Sequence, residues 1–219
     1  MAKASGYYVF DAFGTLFDVH SAVREHASDL GAVAGRVSEL WRAKQLEYTW
    51  IHAGLNTQLP FREVTRQGLL YALAVCGLDE AIAPRLLEAY QSLQTYPEVP
   101  DVLRRLKDQG AKLAILSNGD PDMLDDIVGN AGLDGVFDAL ISARVAGTFK
   151  PSPKVYGLAT EVYGVGAGDI TFLSSNRWDI AGAKAFGFTC IWVNRSGAPD
   201  EYPDLGPDRV VSNLSPLGA

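Results

Sequence analysis

The feature that most constrains this chain is a repeated alternation of short apolar runs and amphipathic stretches in its C-terminal half. The apolar runs at residues 112–116, 139–141, 170–173 and 190–193 predict strands, and the stretches between them predict helices. Repeated strand–helix units of this length imply a parallel sheet with helices on both faces. A further apolar run at residues 7–10 adds a strand near the N-terminus. The pattern therefore predicts an α/β fold with a Rossmann-like parallel-sheet core.

A helical segment separates the first predicted strand from the others. Residues 18–94 show helical periodicity and no convincing strand, beginning with an amphipathic helix over residues 36–52. Two more helices follow, the last of them over residues 81–93. We therefore expect a core domain formed by residues 1–17 and 95–219, with the intervening residues inserted as an α-helical domain, called the cap below.

Polar side chains follow the predicted strands at their carboxyl ends. They comprise the carboxylates Asp11 and Asp179, the hydroxyls Thr15, Ser117 and Ser174, the amides Asn118 and Asn176, and the ammonium group of Lys150. Any one of the strand-end Asp, Ser or Asn residues, taken alone, is most often a turn former. Ligands of open parallel sheets bind beyond the carboxyl ends of the strands, where all these side chains would converge. The sequence therefore predicts a polar site at that edge of the sheet.

The residue types at this edge favour an aspartate over a serine as nucleophile. A buried carboxylate stays ionised beside a lysine, and an ionised carboxylate can form a covalent intermediate. A serine would need a neighbouring base, usually a histidine, yet His20, His26 and His52 all fall in the cap. An acid nucleophile paired with Lys150 is the better prediction.

Composition and charge exclude several other classes of protein. The net charge is −7 and no basic run is present, which argues against a nucleic-acid partner. No apolar stretch approaches the roughly 20 residues of a membrane helix, and the N-terminus has no long apolar signal segment. Cys76 and Cys190 lie in apolar surroundings without metal or redox spacing, which predicts buried free thiols. We expect a soluble, cytoplasmic protein without a membrane partner.

Four motifs in order carry a resemblance to a known family. Residues 11–18 (DAFGTLFD) are similar to the first motif of the haloacid dehalogenase superfamily, and residues 117–119 (SNG) to its second. Residues 150–151 (KP) resemble the third motif and residues 174–179 (SSNRWD) the fourth. In the cap, residues 41–50 (WRAKQLEYTW) resemble a stretch of the L-2-haloacid dehalogenase branch. The match covers nearly the whole chain and implies the fold of that superfamily, with its helical cap.

Two positions separate this chain from the phosphatases of the superfamily. Phe13 stands where those enzymes have the second Asp of the first motif, and Ser175 stands where they have a metal-binding acidic residue. Too few hard oxygen ligands remain for Mg²⁺. The resemblance therefore implies carbon–halogen chemistry with no metal and no cofactor. The branch often has Tyr at the place of Phe13 and Gln at that of Ala43, which leaves substrate size and the preferred halide open.

The resemblance implies a reaction in two steps. Asp11 would displace halide from C2 of an L-2-haloalkanoate with inversion, and water would then hydrolyse the aspartyl ester to give a D-2-hydroxy acid. Lys150, aided by Thr15 and Ser174, would keep Asp11 ionised.

The remaining roles divide between water activation and substrate binding. Asp179, with Asn176, would activate the water, and the Tyr156 hydroxyl would support Lys150 or Arg42. The implied substrate-binding groups are Ser117 with the backbone N–H groups of Ala12 and Phe13 for the carboxylate, Arg42 and Asn118 for the departing halide, and Trp178 as a wall.

Two alternatives stay open on the residues alone. A phosphatase or phosphonatase of the same superfamily, acting on a small phosphorylated metabolite, would need Mg²⁺ and lose activity with EDTA. A non-catalytic binding protein would hold a small carboxylate without releasing halide.

The resemblance also implies a homodimer. Chain length of the substrate, tolerance of fluoride and strictness of L over D selectivity are not fixed by the sequence.

Overall fold

The computed structural model describes residues 6–217, and its centre is one six-stranded parallel sheet. The predicted ends of the core domain, residues 1–5 and 218–219, lie outside the described residues. The strands are β1 (Tyr7–Phe10), β2 (Lys112–Ser117), β3 (Ala139–Ser142), β4 (Ile170–Ser174), β5 (Thr189–Val193) and β6 (Arg209–Val211). Their spatial order is β3-β2-β1-β4-β5-β6, and every neighbouring pair is parallel. The predicted α/β fold with a Rossmann-like sheet is confirmed.

The sheet has a hydrophobic core on each face because successive side chains of a strand point to opposite sides. Phe10 and Ile115 belong to one core, and Val9 and Leu116 belong to the other. The core that contains Phe10 continues into the cap, where it includes Trp41. The cap and the sheet therefore share one apolar interior.

Nine α-helices surround the sheet or build the cap in the described part of the chain. They are α1 (Ser21–Glu25), α2 (Ala27–Leu30), α3 (Ala34–Gly54), α4 (Phe61–Val75), α5 (Ala83–Ala89), α6 (Val99–Asp108), α7 (Pro121–Asn130), α8 (Pro153–Tyr163) and α9 (Arg177–Phe186). The first five all fall within residues 18–94, and all six strands fall outside that segment. The single helix predicted over residues 81–93 is wrong, because Glu80–Ile82 and Tyr90–Ser92 form separate 3₁₀ turns on either side of α5.

Helices α3 and α4 pack closely in the cap. A Cβ atom at Gly68 of α4 would lie 3.1 Å from the backbone nitrogen of Gln45 and 3.3 Å from the carbonyl oxygen of Trp41, both in α3. Glycine avoids this tight contact because it has no Cβ atom, so the two backbones can approach closely. This approach brings polar side chains of both helices together inside the cap, above the sheet edge where the polar residues gather.

Two details of the sequence-based prediction need adjustment. Strand β6 was not predicted, because three residues with two half-exposed or exposed side chains give too short an apolar run. Cys190 is buried as predicted, but Cys76 is only half-buried, so the prediction is wrong there. Within residues 6–217, no helix has the length and apolar character needed to cross a bilayer.

Candidate active site

The carboxyl ends of β1, β2 and β4 bring the predicted polar residues together. Asp11 directly follows β1, and its backbone N–H donates to the Leu173 carbonyl at 2.9 Å, which continues the pairing with β4. Ser117 ends β2 and Ser174 ends β4. Because β1 is the central strand at which the order reverses, its end opens into the crevice where such sheets bind ligands.

The Asp11 carboxylate is buried and receives donors on both oxygens. Lys150 Nζ lies 3.1 Å from Oδ1, which has no other donor among the described residues. On Oδ2, the Asn176 amide donates at 2.8 Å and the Thr15 hydroxyl at 2.9 Å, while Ser174 Oγ lies 3.4 Å away. Hydrogen bonds to the charged form of a carboxylate favour that form. Oδ1 is the less engaged oxygen, so it keeps the freer lone pair.

Lys150 lies between two carboxylates. Its ammonium group donates to Asp179 Oδ2 at 2.8 Å as well as to Asp11, and neither Lys150 nor Asp179 is exposed to solvent. Burial alone would lower the pKa of Lys150, but the charges of Asp11 and Asp179 outweigh it and raise that pKa. The Asn118 side-chain oxygen accepts from the Lys150 backbone N–H at 2.9 Å and so fixes the segment between β3 and α8 that carries Lys150. The ammonium group therefore bridges the two carboxylates.

Asp179 has a raised proton affinity. Burial and the nearby charge of Asp11 raise its pKa to about 6, against the opposing effect of Lys150. The Tyr156 hydroxyl donates to Asp179 Oδ1 at 2.8 Å, so Tyr156 reaches Lys150 only through Asp179. The Asn176 amide bonds Asp11, and its part with Asp179 in activating the water stays a prediction. Asp179 is held by Lys150 and Tyr156.

Arg42 reaches from α3 of the cap to the sheet edge. One terminal nitrogen, Nη2, donates to the Phe13 carbonyl at 3.0 Å and to the Asn176 side-chain oxygen at 3.1 Å. The other, Nη1, donates to Gln45 Oε1 at 2.8 Å within the cap. The guanidinium group is therefore bonded on both sides of the junction between cap and sheet.

A small cavity lies between these groups. Its volume is about 10 Å³, and its walls are Asp11, Phe13, Arg42, Leu46, Phe61, Ser117, Asn118, Asn176 and Trp178. Of the predicted substrate-binding residues, only Ala12 is not part of the wall, and its side chain is buried in the core. No acceptor in the described chain pairs with the backbone N–H groups of Ala12 and Phe13.

Comparison with known proteins agrees with this arrangement. A family model described as haloacid dehalogenase-like hydrolase matches residues 7–187. A curated relative, (S)-2-haloacid dehalogenase 4A of Burkholderia cepacia, is 40% identical over 211 residues, which is 95% of this chain and 91% of the relative. The chain belongs to the L-2-haloacid dehalogenases of that hydrolase family.

Solved structures of the family superpose closely on this chain. A dehalogenase crystallised with an intermediate complex has a TM-score of 0.97 at 37% identity, with 100% of both chains covered. The L-2-haloacid dehalogenase of Xanthobacter autotrophicus with chloropropionic acid covalently bound has a TM-score of 0.87 at 37% identity, covering 97% of this chain and 96% of that one.

The donor set at this member's sheet edge does not fit a magnesium ion. Mg²⁺ needs near-octahedral oxygen ligands at about 2.0–2.1 Å. Here the space between Asp11 and Asp179 is filled by the Lys150 ammonium group, and Phe13 supplies no side-chain oxygen. Within residues 6–217, no group of three or more His, Cys, Asp or Glu side chains could hold a metal ion. We derive no step through a metal.

Sequence reasoning missed two walls of the cavity and the support of Arg42. Leu46 lies one helical turn after Arg42 in α3, a spacing that places both on the same face, so the signal was available. Phe61 begins α4, and nothing in the local sequence indicates that this helix starts over β1. Gln45 lies three residues after Arg42 and is buried. The sequence did not indicate this burial, because a polar side chain on a charged helix usually faces solvent.

Proposed function

We propose that this chain hydrolyses L-2-haloalkanoates to D-2-hydroxy acids through an ester on Asp11. The observation that carries the proposal is the position of the Asp11 carboxylate in the cavity wall. Its oxygen Oδ1 has Lys150 as its only donor among the described residues and is therefore the less engaged of the two oxygens. The relatives named (S)-2-haloacid dehalogenase and the structure with chloropropionic acid covalently bound support it.

In the first step an Asp11 oxygen forms a bond to C2 of the substrate while the carbon–halogen bond breaks. The halide leaves with the bonding electron pair on the opposite side, so C2 is inverted and no proton is transferred. Holding the reactants in line can remove roughly 7–11 kcal/mol of such a barrier. Arg42 and Asn118, both in the cavity wall, are the donors we assign to the departing halide.

Neutral donors at the same edge suit the substrate carboxylate. The Ser117 hydroxyl accepts from the Gly119 backbone N–H at 3.1 Å, so its own proton remains available to donate into the cavity. The unpaired backbone N–H groups of Ala12 and Phe13 add two donors that carry no full charge. Together they would bind a carboxylate close to Asp11 without placing a second cation beside the nucleophile. Trp178 forms the apolar wall.

In the second step water attacks the carbonyl carbon of the Asp11 ester and gives up a proton. The bond between Asp11 Cγ and the ester oxygen then breaks, and that oxygen takes up the proton as the hydroxy acid leaves. The cavity of about 10 Å³ has room for about one water. We assign the proton of the attacking water to Asp179, which lies behind Lys150 and not in the cavity wall; its raised pKa of about 6 makes it a better proton acceptor than an ordinary aspartate. Tyr156 and Lys150 hold Asp179 in place.

A metal-free reaction, a cytoplasmic location and a homodimer complete the proposal. The first is supported by the position of Lys150 between the two carboxylates, and the other two rest on the family resemblance alone. Halide, the hydroxy acid and one proton are then the products.

A panel of substrates tests the activity and the metal together. Halide release is measured from chloroacetate, fluoroacetate and L- and D-2-chloropropionate, before and after exhaustive EDTA treatment. We expect release from the L isomer and not from the D isomer, with the same rate in EDTA. Activity that returns only with added Mg²⁺, accompanied by cleavage of a phosphate monoester, would identify a phosphatase instead.

A further inference from the structure

A buried polar cluster inside the cap contacts Arg42 but takes no part in the steps proposed above. It consists of Gln45 in α3, Thr65 in α4 and Tyr90 after α5, and we call it the Gln45 cluster. Their side chains are almost inaccessible, with Gln45 and Thr65 each 1% exposed and Tyr90 4% exposed. Buried polar groups are costly unless each one has its hydrogen-bond partners, so their arrangement carries information.

The hydrogen bonds of the cluster allow the Gln45 amide only one orientation. The Thr65 hydroxyl donates its single proton to the Phe61 carbonyl at 2.8 Å, so its oxygen can only accept from Gln45 Nε2, which lies 2.7 Å away. The other end, Oε1, therefore faces Arg42 and accepts from Nη1 at 2.8 Å. With the amide reversed, two acceptors would meet at Thr65 and two donors would meet at Arg42.

Tyr90 closes the cluster and joins it to the cavity. Its hydroxyl lies 3.1 Å from Gln45 Nε2 and 3.3 Å from Oε1. Burial raises the pKa of Tyr90, so the hydroxyl keeps its proton. The Tyr90 ring stacks on the ring of Phe13, with centroids 5.6 Å apart, and Phe13 is a wall of the cavity. The cluster therefore contacts Arg42 through Gln45 and the cavity wall through Tyr90.

We propose that Gln45, oriented by Thr65 and Tyr90, is a positioning residue that aims the Arg42 guanidinium group at the departing halide. This inference rests on the proposed function, in which Arg42 receives the halide. The Phe13 carbonyl and Asn176 hold Nη2 from the sheet side, and Gln45 holds Nη1 from the cap side. A planar group bonded through both terminal nitrogens cannot rotate, so its remaining N–H groups keep a fixed direction. Gln45 acts only on the step in which charge develops on the halide.

The test separates the two chemical steps in a single turnover with enzyme in excess over L-2-chloropropionate. Halide appearing after rapid quenching measures ester formation, and lactate appearing in the same samples measures ester hydrolysis. Gln45→Met keeps the length of the side chain and removes its hydrogen bonds. We expect ester formation to slow by about 10- to 100-fold, the loss typical of a misplaced reacting group, with hydrolysis changed less than twofold. Arg42→Ala sets the upper limit, a loss of about 10²–10³.

Matched variants distinguish positioning from general loosening of the cap. Thr65→Val removes the hydroxyl that orients the amide and should slow ester formation, whereas Thr65→Ser keeps the hydroxyl and should restore it. Tyr90→Phe removes one oxygen and should cause a smaller loss of the same step. Thr49→Val is the control, since Thr49 is equally buried one turn along α3 and bonds only the Leu46 carbonyl. It should leave both steps unchanged.

Two results would overturn the inference. Ester formation in Gln45→Met and Thr65→Val within twofold of the unmodified enzyme would mean that Arg42 is aimed without the cluster. Equal slowing of both steps, in these variants and in Thr49→Val, would mean that the cluster serves only cap stability. Absence of any halide release or ester from the unmodified enzyme would instead overturn the proposed function, so the two failures are distinguishable.

Discussion

At the residue scale, the chemistry depends on three ionisable groups packed so closely that their charges decide each other's state. Lys150 contacts both Asp11 and Asp179 within 3.1 Å, and none of the three is appreciably exposed. Removing one member of a buried set of this kind leaves an uncompensated charge, which is strongly destabilising. The same packing gives Asp179 its high pKa while Lys150 stays charged.

The raised pKa of Asp179 predicts how the rate of ester hydrolysis falls at acid pH. Asp179 accepts a proton only as the carboxylate, which is lost as the pH falls through about 6. Ester hydrolysis should therefore decline about tenfold per pH unit below that value. Because the Tyr156 hydroxyl lowers the pKa of Asp179, Tyr156→Phe should move the midpoint of the profile to higher pH. Single-turnover rates of lactate release between pH 4.5 and 8 are the measurement.

Tyr163 provides the control for that profile. It lies in the same helix as Tyr156, and its hydroxyl is buried without a partner among residues 6–217. Tyr163→Phe should leave the midpoint where it is in the unmodified enzyme. If Tyr156→Phe left the midpoint unchanged or moved it to lower pH, the assignment of the titration to Asp179 would be wrong.

At the scale of elements, the cap depends on the contact between α3 and α4 at Gly68. The Cβ atom of an alanine there would press against the α3 backbone at 3.1 Å and 3.3 Å, and backbone cannot move aside as a flexible side chain can. Overpacking of this kind costs about 1–3 kcal/mol. We expect Gly68→Ala to lower the free energy of unfolding by that amount in urea denaturation.

Gly35 is the matched control for this contact. It lies near the start of α3, and a Cβ atom built on it meets nothing within 4 Å. Replacing a helical glycine by alanine in open space stabilises by roughly 0.5–1 kcal/mol. Gly35→Ala should therefore raise the stability while Gly68→Ala lowers it. The same sign for both variants would show that the approach of the two helices is not what makes Gly68 necessary.

At the scale of the whole molecule, the sheet and most of the site could be predicted from the sequence, because both follow from local rules. Apolar runs of regular spacing specify the strands, and parallel topology places Asp11, Asn118 and Asn176 at one edge wherever the loops run. The strands were predicted to within one residue at each end, apart from β6, whose three residues are mostly exposed.

The partners of the site residues could not be predicted in the same way. Which donor reaches which carboxylate depends on rotamers and on packing between elements far apart in sequence. Tyr156 and Asn176 were both expected in the site and both lie there, but the sequence did not indicate that Tyr156 bonds Asp179 or that Asn176 bonds Asp11. Gln45 was not expected, because its burial depends on the contact of α3 with α4 rather than on its own neighbours.

The cavity is also a property of the whole molecule. Its walls come from the cap and from three strand ends. Its volume of about 10 Å³ leaves room for about one water, so we expect side chains such as those of Leu46, Phe61 or Trp178 to move when the substrate binds. Exclusion of bulk water in the first step would strengthen the interaction of Arg42 with the leaving halide.

The central claim is that Asp11 bonds to carbon, and the placement of an oxygen isotope tests it most directly. With enzyme in excess over L-2-chloropropionate in H₂¹⁸O, the hydroxyl oxygen of the first lactate should come from Asp11 and carry almost no label. Mass spectrometry of the digested protein should find ¹⁸O in the peptide that contains Asp11 and in no other carboxylate peptide. Asp179→Asn should let the ester accumulate on that same peptide. Labelled lactate in the first turnover, from unlabelled enzyme, would mean that water attacks C2 directly and that Asp11 never forms an ester.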